Sequence, residues 1–184
     1  MEKLYRILKI LIVLLLAAVL VTGILVAKQL ALPRQSEPVA EAGNASLAPD
    51  FTFYDIDGNA FKLSDLRGEP VVLTFWCCLC GPCKGELPDF EEAFRTYGEE
   101  IRFLMVNLTD GTSETVEKAS AYIAQQVHTF PVYYDIAMEG AAAYSVYAIP
   151  VTYFIDAEGS VRAFNEGMIS AEMLESNIAA LLAQ

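Results

Sequence analysis

Hydrophobic and polar positions divide the chain into two regimes. Across residues 10–27 no side chain carries a charge, and only Thr22 and Gly23 weakly interrupt the apolar run. A helix buried at the edge of a core shows a polar face, and this stretch has none. As a helix it would reach ~27 Å, close to the ~30 Å hydrocarbon core of a bilayer, and Ile7 and Leu8 remove most of the shortfall. The pattern predicts one membrane-spanning helix.

Beyond residue 46 the periodicity changes to short elements. Asp50-Phe51-Thr52-Phe53-Tyr54 alternates as a strand, and Asp57-Gly58-Asn59 forms a turn into a second strand at 61–63. A short capped turn follows at 64–68. Residues 70–76 run Pro-Val-Val-Leu-Thr-Phe-Trp, as expected of a central strand buried on both faces. A helix is predicted at 82–97, kinked at Pro88, then a strand at 101–108 and a helix at 112–127. A strand at 132–134, a helix at 137–144 and a hairpin of strands at 151–156 and 160–164 come next. A terminal helix capped by Ser170 ends the chain. This order predicts an α/β domain: a mixed central sheet flanked by helices, with parallel βαβ units first, an antiparallel hairpin last and an added N-terminal hairpin.

Charge orients the two regimes. Lys3, Arg6 and Lys9 precede the apolar run, so the N-terminus stays in the cytoplasm and everything after Lys28 is exported. The run is longer than a secretory signal core, and Ala27-Lys28-Gln29-Leu30-Ala31 is a poor cleavage site, which favours a retained anchor. Four segments result: a cytoplasmic stub at 1–9, a transmembrane signal-anchor at 10–27, a flexible linker at 28–46 and a folded domain at 47–184. From Leu47 onward 21 Asp and Glu face 7 Lys and Arg, a net of −14, which argues against nucleic acid as a partner.

All four cysteines fall within one heptapeptide: Cys77, Cys78, Cys80 and Cys83. A structural disulfide framework spreads its cysteines to close loops, so this clustering means redox chemistry or metal binding. Export favours redox, because that compartment permits disulfides. Cys80-Gly81-Pro82-Cys83 sits where the buried strand gives way to a helix. There the free backbone N–H groups and the helix dipole stabilise a thiolate at Cys80. Cys83 is one helical turn on, close enough to form a disulfide with Cys80. Pro82 lacks a donor that the first turn does not need.

Two roles fit Cys77 and Cys78: small packing residues, or auxiliary thiols that exchange with the active pair. The four thiols also allow a soft-metal reading with Cu(I) or Zn(II), although zinc sites usually draw on two separated loops. Pro70-x-x-x-Thr74-x-x-Cys77 matches a peroxidatic pattern letter by letter, but here the proline precedes the core strand instead of following it. His128, the one histidine, is expected at the surface. Trp76 and the Tyr133-Tyr134 and Tyr144/Tyr147 clusters are expected in the core or in a groove wall.

Far along the chain, Tyr147-Ala148-Ile149-Pro150-Val151 sets a proline before a strand. With that element, Ala48-Pro49-Asp50-Phe51, Leu63-Ser64-Asp65-Leu66-Arg67-Gly68, Phe75-Trp76, the CGPC motif, Glu86 and Pro88, the chain resembles the membrane-tethered TlpA/ResA-like branch of the thioredoxin superfamily, with features of the AhpC/TSA redoxin class. The resemblance covers roughly residues 47–182. It implies a thioredoxin-like fold and a cis Ile149-Pro150 bond lying against the cysteines. Cys80 and Cys83 are then catalytic, and Leu79, Gly81, Pro82, Ile149 and Pro150 meet the substrate. The implied activity is reduction of disulfides in exported proteins, often in cytochrome c maturation. A membrane dithiol is the expected electron donor, because no soluble glutathione pool is expected outside the membrane, and the cycle calls for no bound cofactor or metal. Three positions depart from the pattern. Leu79 stands where the family has Trp, Thr74 where thioredoxins bury a carboxylate, and Gly81 where some relatives have an acid. The proton acceptor for Cys83 is therefore unassigned, with Glu86 as a candidate that also suits structural contacts.

Overall fold

The computed structural model describes residues 46–183, together with residues 2, 6 and 14–16. Residues 46–183 belong to the second of two units into which the chain divides, Val39–Gln184. Residues 14–16 are helical; the rest of the apolar stretch 10–27, and the linker before residue 46, lie outside the described residues. Among the described residues no helix is long and apolar enough to cross a membrane.

The folded unit runs β1 (Thr52–Tyr54), β2 (Ala60–Lys62), a 3-10 turn (Leu63–Leu66), β3 (Val71–Trp76), α1 (Gly81–Tyr97), β4 (Arg102–Asn107), α2 (Val116–Ala124), β5 (Val132–Tyr134), α3 (Glu139–Ala143), β6 (Val151–Ile155), β7 (Val161–Glu166) and α4 (Ala171–Leu182). Seven strands form one sheet in the order β2-β1-β5-β4-β3-β6-β7. β3 is parallel to β4, and β4 to β5. β6 is antiparallel to β3, and β7 to β6. The β1–β2 hairpin joins antiparallel at the far edge through β5. This is the mixed sheet, with parallel units first and a hairpin last, that the order of elements predicts.

β3 organises the core because its side chains alternate between two apolar layers. Val72 and Trp76 point into one, with Cys83, Leu87 and Phe90 of α1 and Leu174 and Ile178 of α4. Val71, Leu73 and Phe75 point into the other, with Phe51, Phe53, Leu104 and Tyr144. The second layer is largely aromatic: the Tyr144 ring lies 4.7–5.7 Å from those of Tyr153, Phe75 and Phe51. Gly140 in α3 permits that packing, since a Cβ there would stand 2.7 Å from the Phe51 ring. Every residue of β3 is buried.

Several local expectations shift. α1 runs to Tyr97 with Pro88 inside it, as expected; the departures lie elsewhere. The helix expected at 112–127 starts only at Val116. Asp110 Oδ1 accepts the N–H groups of Thr112 (2.7 Å) and Glu114 (3.0 Å), and Thr115 caps the helix through Lys118 N–H. These side chains compete with helical hydrogen bonding and hold 110–114 as a loop. Tyr144 and Trp76 are buried, whereas Tyr147 is 96% exposed and belongs to no core. His128 is half-buried, its ring stacked on Phe130 at 4.9 Å, so it is not a free surface residue.

Candidate active site

β3 ends at Trp76, and α1 begins five residues later. The intervening turn is closed by Cys80 N–H donating to Cys77 O at 3.3 Å. Cys80 is the N-cap of α1, and its Sγ accepts the N–H of Cys83 at 3.1 Å. Pro82 lies in the first helical turn, where its missing donor costs nothing. Cys80 and Cys83 are joined by a disulfide, with Cα atoms 5.3 Å apart. The two sulfurs differ in access. Cys83 is wholly buried, Cys80 half-buried, and Leu79, Gly81 and Pro82 around it are exposed.

β6 brings in the second half of the site. Its antiparallel register sets Val151 opposite Phe75, so the residues before it lie beside the end of β3. The Ile149-Pro150 bond there is cis. Ile149 O lies 3.7 Å from Cys80 Sγ. Pro150 itself is buried and Ile149 half-buried. Pro150 O accepts the N–H of Gly167, which ties this loop to the end of β7. Leu79, Tyr147 and Met168, all well over half exposed, are the large apolar side chains of these three segments.

Beneath the motif, Thr74 is buried and satisfied. Its hydroxyl donates to Val151 O at 3.3 Å and accepts from Thr152 Oγ1 at 3.1 Å, so the position offers no carboxylate to the sulfurs. Glu86 is a buried carboxyl of α1, one turn beyond Cys83 and 1% exposed. It accepts the N–H of Ile169 at 3.0 Å, a structural tie between α1 and the loop before α4. Burial pushes its pKa up to about 7, with a smaller contribution from Asp89 and opposition from the Ile169 hydrogen bond.

A second carboxylate, Glu114, escapes prediction because its segment reads as helix. It is 3% exposed. Oε1 accepts Cys78 N–H at 2.7 Å and Asn107 Nδ2 at 2.7 Å, and Oε2 accepts the Cys78 thiol at 2.8 Å. Asn107 in turn accepts from Thr109 Oγ1 at 3.0 Å. Burying a carboxylate costs several kcal/mol, and hydrogen bonds to charged groups return ~1.5–3 kcal/mol each. Three donors are therefore of the order needed to keep Glu114 inside. The one available signal was Asp110-Gly111-Thr112, an Asx-turn sequence that interrupts the helical pattern.

Neither Cys77 nor Cys78 is paired with another cysteine, and both are half-buried. Burial, with Glu114 close by, pushes the Cys77 thiol up. Burial and then the hydrogen bond to Glu114 push Cys78 up to about 11. Among the described residues no group of three or more His, Cys, Asp and Glu is arranged to hold a metal ion.

The AhpC/TSA family profile matches residues 45–164. The chain belongs to the AhpC/TSA family. Within it, the chain is 34% identical over 133 residues to the thiol-disulfide oxidoreductase ResA of Oceanobacillus iheyensis, covering 70% of this chain and 67% of that one. It is 34% identical over 134 residues to ResA of Geobacillus kaustophilus, covering 72% and 75%. The crystal structure of a putative thiol:disulfide interchange protein DsbE from Chlorobium tepidum superposes with a TM-score of 0.67 at 30% identity, covering 77% of this chain and 99% of that one. The exposed lipoprotein thioredoxin of Streptococcus pneumoniae gives 0.63 at 27%, covering 72% and 99%. This AhpC/TSA member is a thiol–disulfide oxidoreductase with a thioredoxin-like fold.

Glu86 provides a pH test of the site's packing. Its folded pKa lies above the ordinary 4.5, so the folded state binds this proton more tightly than the unfolded chain does. That stability is complete below 4.5 and is lost as pH rises through about 7. Glu86→Gln keeps an acceptor for Ile169 N–H and carries no charge. In urea unfolding the variant is expected to gain on wild type as pH rises, by up to roughly 3 kcal/mol above neutrality, and to show no such gain in acid. A gap that does not change with pH contradicts a raised Glu86.

Proposed function

We propose that the enzyme reduces disulfides of exported proteins outside the membrane, with Cys80 as attacking thiol and Cys83 as resolving thiol. The observation that carries this reading is the position of Cys80. It caps α1, its sulfur accepts a backbone N–H, and it is the more accessible member of a disulfide whose other sulfur is buried. A thiolate at that point gains both the helix dipole and the Cys83 N–H, which lowers its pKa and raises its thiolate fraction near neutrality.

The cycle starts from the dithiol. Cys80 thiolate attacks one sulfur of a substrate disulfide, the substrate S–S bond breaks, and a mixed disulfide forms while the departing sulfur takes up a proton. Cys83 then loses its proton and attacks Cys80 Sγ, which releases the second substrate thiol and leaves the Cys80–Cys83 disulfide. Glu86, one turn beyond Cys83 and buried, is the nearest carboxyl in sequence, and with its pKa raised to about 7 by burial it is a stronger base than an ordinary carboxylate and can take that proton from its ionised form above neutrality. The substrate chain lies along Ile149-Pro150, whose carbonyl edge faces Cys80, with Leu79, Gly81 and Pro82 on the opposite side. The substrate class is an exported polypeptide with an accessible disulfide, such as an apocytochrome c whose haem-attachment cysteines have oxidised. A membrane dithiol returns two electrons to the Cys80–Cys83 pair.

A peroxidase reading through Cys77 is disfavoured by electrostatics. Peroxide chemistry needs a thiolate, and burial beside Glu114 pushes this thiol the other way. For the anchor, the support is the uncharged run at 10–27 behind Lys3, Arg6 and Lys9.

Replacing Cys83 by Ser is expected to stop turnover and to accumulate mixed disulfides, located by peptide mapping at Cys80. An adduct at Cys77 or Cys78 instead overturns the assignment of roles. Protease added to wall-free cells is expected to remove the folded domain while the anchor stays in the membrane. A soluble mature form beginning near Leu30 in the medium means the segment is a cleaved signal.

A further inference from the structure

The exchange site holds a third sulfur that its chemistry does not use. Cys78 lies two residues before Cys80, and both pack against the core layer that contains Cys83. Within that corner an isomerisation needs no outside reactant. Cys78 thiolate attacks Cys80 Sγ, a Cys78–Cys80 bond forms and the Cys80–Cys83 bond breaks. The electron pair left on Cys83 takes the proton that Cys78 gave up, so there is no net oxidation or reduction. Such a shuffle would withdraw Cys80 from its substrate.

We infer that Glu114 is a positioning residue of the exchange site, holding the turn before α1 and keeping Cys78 a thiol that cannot exchange with the Cys80–Cys83 pair. The inference rests on the reading of Cys80 and Cys83 as the reactive pair. Its geometry is specific. One carboxylate takes both the backbone N–H and the side-chain S–H of Cys78, so residue 78 is fixed at two points by one group. Glu114 is itself fixed. Asn107 Nδ2 donates to it from the last residue of β4, and Asp110 accepts its backbone N–H. Asn107 stands opposite Trp76 in the parallel β3–β4 register, so the strand pair that aims Cys80 also aims the carboxylate.

The electrostatic consequence follows from this contact. A thiol whose hydrogen points at a buried carboxylate gives up a hydrogen bond and gains a repulsive neighbour when it ionises. Burial and Glu114 together accordingly raise Cys78 to about 11. Exchange rates follow the thiolate fraction, so the Cys78 thiol is silent where Cys80 is active. The other ionisable groups nearby are Cys77 beside it, Asp110 below the loop, Tyr122 of α2, and Lys84 of α1, whose Nζ lies 5.8 Å from the Tyr122 ring centre. The Cys78 thiol bonds to Glu114.

The test uses the full-length protein with Cys77 replaced by Ala, so that Cys78 is the one free thiol when Cys80 and Cys83 are oxidised. The pH–rate profile of Cys78 alkylation is compared with that of the same protein carrying Glu114→Gln. The parent is expected to titrate near 11. The variant is expected to move down by at least one pH unit, with alkylation about tenfold faster below both midpoints. Disulfide mapping after equilibration at mildly alkaline pH is expected to find Cys78-containing bonds in the variant and none in the parent. A faster rate at every pH with an unmoved midpoint would mean that Glu114 only braces the turn, and it overturns the guarding role. So does a parent midpoint near the free-cysteine value of ~8.5, which needs no variant to fold. Trapping at a cysteine other than Cys80 in the Cys83→Ser protein would instead sink the reading of the pair and leave these midpoints as measured.

Discussion

The structure depends on where one sulfur stands relative to one helix end. Cys80 must leave a strand buried on both faces and become the first cap of α1 within four residues. Everything that makes this turn rigid serves the chemistry. β3 is clamped by β4 on one side and β6 on the other, and its side chains fill both core layers. α1 is held at its buried face by Leu87, Phe90 and the contacts with α4. Because neither strand nor helix can shift, the Cys83 N–H remains on the Cys80 sulfur. The helix dipole acts over only the first turn, so a displacement of a few ångströms would forfeit it.

That constraint explains why the two cysteines differ although they share one motif. The cap position is at the surface and the position one turn later is inside. The buried sulfur is shielded from solvent and from bulky partners, and it is suited to an attack within the protein. The outer one lies beside the Ile149-Pro150 edge, where the proposed cycle puts the substrate chain. The solved interchange protein of Chlorobium tepidum shares the fold that sets these two positions. Leu79 keeps the position before the motif apolar and exposed, but it contributes no ring on which a peptide could stack.

Much of this arrangement is legible along the chain, because it rests on local signals that agree. The run Val71-Val72-Leu73-Thr74-Phe75-Trp76 is apolar throughout, as a strand covered on both sides must be. Ser170 in front of α4 is a cap by its chemistry, and Met173 N–H donates to it. The sheet topology follows from the order of such elements. The Cys78–Glu114 contact is of another kind. It joins residues 36 apart, and its carboxylate lies on a segment whose apolar spacing suits a helix. Asp110 overrides that spacing by offering its own oxygen to two backbone donors. Tyr144 and Tyr147 show the same limit. They read as a pair, yet one is core and the other nearly free in solvent, because the end of α3 turns the chain between them.

On the proposed cycle the site gives electrons to its substrates. A cap position that stabilises the Cys80 thiolate favours the dithiol form somewhat, and strong stabilisation would turn the protein into an oxidant, as it does in DsbA. Here the turn before Cys80 is packed against one buried carboxylate, Glu114, and the folded domain is acidic. Negative surroundings work against an extreme thiolate. The most direct measurement is the reduction potential of the Cys80–Cys83 pair, by equilibration with defined dithiol buffers. A value near that of thioredoxin, ~−270 mV, or below it is predicted, and a value near that of DsbA, ~−120 mV, would contradict the account.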